Sequence, residues 1–281
     1  MKKFFKGTGA AIGYLTIYFV IILLVVFTGG IYFGIKEGFK ATDGPDLSKS
    51  LPQTIESFLY DNAMLFNIIA AVICLFVFRI IILISKTSVK ERLDLYPIPF
   101  IEVWPVLILG VTVNVFFSYL ISFLPLPVNW LQEYAQALNI LGDKITFVQI
   151  LAVVIFAPVL EEVLYRGLIL KSLQSGMPKI AALLIQALLF GIMHGQLLWI
   201  CYSTFLGILL AVIKFKYNSL YPCILMHLSF NSANYILKPL YIRINDNIFL
   251  EVLLFASAFV ISVYMAEIIF KKISNYRFLH E

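Results

Sequence analysis

The chain has 281 residues, 61% of them hydrophobic and only 13% charged, with a mean hydropathy of +0.94 and a formal net charge of +5. Soluble domains carry about 25% charged residues, so this composition excludes a soluble globular protein. The spread of aromatic residues, without a Gly-X-Y period or low-complexity tract, excludes a fibrous or disordered chain. The Lys and Arg residues lie singly or in pairs between apolar runs, which argues against nucleic acid as a partner and for orientation in a lipid bilayer. An all-α, polytopic membrane protein is the class that remains.

In hydrocarbon, backbone groups must bond within their own segment, so apolar runs of about 20 residues read as helices. About eight such transmembrane helices are expected, near 10–35, 58–85, 100–124, 148–172, 179–195, 197–213, 219–237 and 248–270. The first follows MKKFFKG and lacks an AxA-like cleavage site. Its apolar run exceeds the roughly 7 to 15 residues of a signal-peptide core, which makes it an uncleaved helix. Residues 36–57, of mixed charge with Gly and Pro, read as a solvated loop. In 129–141, Trp130, Leu131, Tyr134, Leu138 and Leu141 recur at helical spacing against Gln132, Glu133 and Gln136. That pattern fits a helix lying on the membrane surface or a plain connecting helix. Cys74, Cys201 and Cys223 are far apart and form no disulfide framework or metal knuckle. Alternate connections hold 13 Lys and Arg on the side of the N-terminus against six on the other, which favours both termini in the cytoplasm.

An ionisable group at the centre of a membrane helix costs about 2.5 to 3.5 kcal/mol, so each needs a reason. The fourth run holds Glu161, Glu162 and Arg166. Glu162 and Arg166 are four apart on one helical face and can pair, whereas Glu161 points about 100° away and is left without that partner. His194 and His227 lie inside the fifth and seventh runs, and His280 falls near the C-terminus. Counting from the nearest cytoplasmic lysine at about 1.5 Å per residue, Glu161, His194, His227 and Asn231 all reach one slab near the midplane. His227 and Asn231 share a face, and Phe190 stands one turn before His194. Pro158 and Pro222 can kink the helices beside them.

A carboxylate and a neutral imidazole converging on one water make a general base, while a second His and an Asn amide can donate to a developing oxyanion. Glu161, His194 and His227 could equally supply a zinc site. Serine chemistry lacks an Asp-His relay directed at Ser229 or Ser232.

The motifs Glu161-Glu162-x-x-x-Arg166, Phe190-x-x-x-His194 and His227-x-x-x-Asn231 resemble, in order, the signatures of the CPBP family of glutamate intramembrane proteases. These are the CAAX prenyl protease and bacteriocin-processing, or Abi, proteins. The resemblance implies a catalytic core over 148–237, preceded by three membrane helices in 1–147 and followed by a membrane helix and cytoplasmic tail in 238–281. It also implies that Glu161 and His194 activate water, that His227 and Asn231 form the oxyanion hole, and that Glu162, Arg166 and Phe190 support them. The expected activity is hydrolysis of a membrane-associated or lipidated peptide or protein in a bacterial cell membrane, with no cofactor. A non-catalytic immunity or scaffold protein of the same fold, or an ion transporter, are the alternative readings.

Overall fold

A computed structural model describes residues 1–40, 47–139, 145–244 and 247–271, and among them the regular structure is entirely helical. In chain order the helices are α1 (Lys2–Lys40), α2 (Leu47–Asp61), α3 (Ala63–Ile84), α4 (Val89–Leu93), α5 (Phe100–Phe123) and α6 (Val128–Asn139). They are followed by α7 (Phe147–Gln174), α8 (Lys179–Ile192), α9 (Leu197–Tyr217), α10 (Tyr221–Ile236), α11 (Lys238–Ile244) and α12 (Ile248–Lys271).

Each of the eight apolar runs forms a helix, and six (α1, α3, α5, α7, α9 and α12) are long and apolar enough to cross a membrane. The chain is thus an integral membrane protein. The other two, α8 with 14 residues and α10 with 16, are shorter, and both lead into or carry the histidines singled out above. Residues 47–57 correct the sequence reading, because they belong to α2 and not to a loop. Ile55, Phe58 and Leu59 recur on one face, where Ile55 and Leu59 sit against Gly30 and Gly34 of α1 and the Phe58 ring stacks on Phe33 at 4.1 Å. That burial outweighs the Gly, Pro and charge signal of the preceding stretch. The expected surface helix is present as α6, with Tyr134 edge-on to Trp199 of α9. Leu141, like Lys272, Arg277 and His280, lies outside the described residues.

Two apolar clusters meet around α7. One joins α1, α3, α7 and α8 through residues such as Tyr165, Phe78, Leu164 and Phe190. The other joins α5, α9, α10 and α12 through Leu109, Leu210, Met226 and Ile269. Gly110 lets α5 close on α10, since a Cβ there would run into the Ser229 hydroxyl and the Met226 carbonyl.

The ends of the helices nearest the N-terminus are tied by the short linker after α3. Ser88 caps α4 by accepting from the Glu91 N–H, and Asp94 closes it in a left-handed conformation with φ 53°. The Asp94 carboxylate accepts from Lys171 at 2.6 Å and from the buried Lys214 at 2.5 Å, while its backbone carbonyl accepts from Leu220 N–H at 2.9 Å. One residue thereby pins α7, α9 and the start of α10.

Candidate active site

Helix α7 departs from α-helical winding twice, over Leu151–Phe156 and Glu162–Ile169, where backbone bonds span five residues. Ala157 N–H reaches the Ala152 carbonyl and Leu170 N–H the Tyr165 carbonyl. Wide turns of this kind recur at functional sites. The first precedes Pro158, whose ring removes a donor and crowds the carbonyl four residues back. The run was expected to be an ordinary helix with a proline kink, and the wide turns are how the chain accommodates it.

The carboxylate of Glu162 and the guanidinium of Arg166 are fully buried and pair at 2.7 Å, as their spacing predicts. A second guanidinium nitrogen donates to the Gly207 carbonyl of α9 at 3.3 Å, and the guanidinium stacks over the Phe190 ring, 4.3 Å from its centre. Sequence reasoning assigned Phe190 only to His194. The ring in fact packs edge-on against His194 at 5.1 Å, His227 at 5.8 Å and Tyr165 at 5.2 Å, so that it separates the two imidazoles and covers the ion pair.

The buried His227 presents its two ring nitrogens to two carboxylates of adjacent residues. Nδ1 is 2.8 Å from Glu162 Oε1, and Nε2 is 3.6 Å from Glu161 Oε2. Glu161 thus faces His227, whereas spacing had matched it with His194. Two carboxylates, one guanidinium and one imidazole sum to zero charge when the ring carries both protons, and each N–H then points at an acceptor.

His194 is arranged oppositely. Its Nδ1 lies 2.9 Å from the Phe190 carbonyl, which can only accept, so this nitrogen carries the proton and Nε2 of the neutral ring keeps its lone pair. Gly195, at φ +74°, turns the chain immediately after it and separates α8 from α9, two runs that the sequence leaves nearly continuous. Asn231, one turn beyond His227, donates one amide hydrogen to the Val153 carbonyl at 2.8 Å, in the first wide turn of α7. Its second amide hydrogen is free for another acceptor. Val153 and Gly207, which act through their carbonyls, carry no side-chain signal that sequence reasoning could have used.

The site is thus three helices of a polytopic membrane bundle bringing a carboxylate, two imidazoles of opposite polarity and an amide to one buried place. Residues 143–233 match a family model described as Type II CAAX prenyl endopeptidase, Rce1-like, about a third of the chain and the part that carries all three motifs. This region is therefore a domain of the CAAX protease family, in agreement with the motif resemblance. No curated protein and no solved structure matches the chain. Among the described residues no three His, Cys, Asp or Glu side chains are grouped so as to hold a metal ion.

Proposed function

We propose that the protein is an intramembrane endopeptidase that hydrolyses a peptide bond of a membrane-associated or lipidated peptide or protein with an activated water. The observation that carries this reading is the opposite polarity of the two imidazoles. His194 Nε2 offers a lone pair, whereas His227, held between Glu162 and Glu161, offers an N–H.

In this reading Glu161 and His194 take the proton from water as it attacks the carbonyl carbon. The oxyanion that forms accepts from His227 Nε2–H and from the free amide hydrogen of Asn231. Glu161 then delivers the proton to the departing amine, which leaves a carboxylate and an amine as products. Glu162 and Arg166 hold His227 in orientation, and Phe190 excludes water from the ion pair. No metal, cofactor or nucleic acid takes part, and the bilayer is the medium from which substrate arrives.

The test uses purified protein in lipid nanodiscs and a pool of internally quenched peptides with apolar cores. Cleavage by wild type that is lost in Glu161→Gln and His194→Ala, and unaffected by chelators, supports the reading. Wild-type turnover in either variant rejects the assignment of the base. Loss on metal stripping with recovery on zinc return would replace it by a metalloprotease.

A further inference from the structure

A cleft of about 190 Å³ lies outside the matched domain, between α1, α2 and α3, with its floor on α7. Its walls include Tyr18, Val26, Phe66, Asn67 and Ala70, and its floor is Leu160. Helix α1 starts at the N-terminus and α3 returns from the far side, so Val26, Phe66 and Asn67 belong to the membrane half opposite the N-terminus. The cleft descends from there toward the site, because Leu160 directly precedes Glu161 and Tyr18 stands within electrostatic reach of the Glu161 carboxylate. The side chain of Glu161 is 22% exposed and that of Glu162 is fully buried, so of the two acids it is Glu161 that opens to a space.

Two features decide what the cleft accepts. An apolar cavity of about 150 Å³ holds a benzene ring, so this volume suits one large aliphatic or aromatic side chain. The lining is apolar except for Asn67, which is exposed and makes no hydrogen bond among the described residues. A lipid chain offers an amide nothing, whereas an extended peptide backbone offers both a donor and an acceptor.

We propose that this cleft is a substrate subsite: it takes a large apolar side chain flanking the cleaved bond, while Asn67 hydrogen-bonds the adjoining peptide backbone. The inference rests on the peptidase reading and adds the apolar flanking residue and the part of the molecule that recognises it.

The experiment uses full-length protein in nanodiscs and paired quenched peptides that differ only in Leu, Phe or Ala at each position beside the bond cleaved by wild type. Asn67→Leu should raise KM about threefold to tenfold with kcat retained, the size of one net hydrogen bond. Ala63→Leu, which fills the half-buried wall, should raise KM more than about tenfold for the Phe and Leu peptides and leave the Ala peptide alone. Phe76→Leu, on the exposed face of the same helix, should change neither constant. If both cleft variants cleave every peptide with wild-type KM and unchanged preference, the subsite is wrong while the peptidase reading stands. If wild type and Glu161→Gln are equally inert toward the whole set, the peptidase reading falls and the subsite with it.

Discussion

Nδ1 of His227 stands 2.8 Å from Oε1 of Glu162, the same carboxylate oxygen that pairs with Arg166 at 2.7 Å. One buried oxygen therefore receives two donors, from α10 and from its own helix. The orientation of the imidazole is thereby set by a residue that need not touch substrate, which separates the roles of two acids adjacent in sequence.

Replacing Glu162 with Gln leaves Arg166 charged without a counter-ion at a fully buried position, which costs about 3 to 5 kcal/mol. Activity should fall as well, because His227 loses its orienting partner. Unfolding followed in detergent by temperature or denaturant checks this, and a variant as stable as wild type would refute the pairing.

Glu161→Gln should behave differently. Its carboxylate is partly exposed and sits 3.6 Å from His227, so the folded state should lose little. Turnover should drop about 10²- to 10⁴-fold, the usual contribution of a general base. The contrast between the two variants, measured side by side for melting temperature and kcat, is the discriminating result.

Asn231→Ala should show both effects at once. Its bond to the Val153 carbonyl joins α10 to α7, and such interhelical bonds average about 0.6 kcal/mol. Loss of an oxyanion donor costs about 10²- to 10³-fold in kcat. A lowered melting temperature with normal kcat would confine Asn231 to packing. Asn231→Asp should be at least as slow, because an ionised carboxylate cannot donate.

Asp94→Ala leaves Lys214, only 4% exposed, without its carboxylate, and a loss of about 3 kcal/mol is expected. Adding Lys214→Met should restore part of it, since a buried ion pair replaced by apolar groups is often neutral in stability. A double variant no more stable than Asp94→Ala would show that the carboxylate acts mainly through Lys171.

The apolar runs carried most of the fold because membrane burial dictates composition over whole segments, and all eight became helices. Helix α2 escaped notice because its stabilising contacts, Ile55 and Phe58 against α1, are tertiary, whereas its Gly, Pro and charge signals are local. In the site, Glu162 and Arg166 were legible from spacing alone because both lie on one helix. The partner of Glu161 was not, since choosing between His194 and His227 depends on how α8 and α10 approach α7. Depth placed both histidines at one level but gave no azimuth. Phe190 was legible as the neighbour of His194, yet its cover of Arg166 depends on the same approach.

The two wide turns of α7 carry a consequence for length variation. A turn closed over five residues holds one more residue than an α-helical turn, so each stretch is in effect an insertion wound into the helix. Removing one residue between Leu151 and Phe156 would let that segment relax to ordinary winding. It would also rotate everything before it by about 100° relative to Glu161, withdrawing the Val153 carbonyl from Asn231. This helix should therefore accept many apolar substitutions but no single-residue deletion.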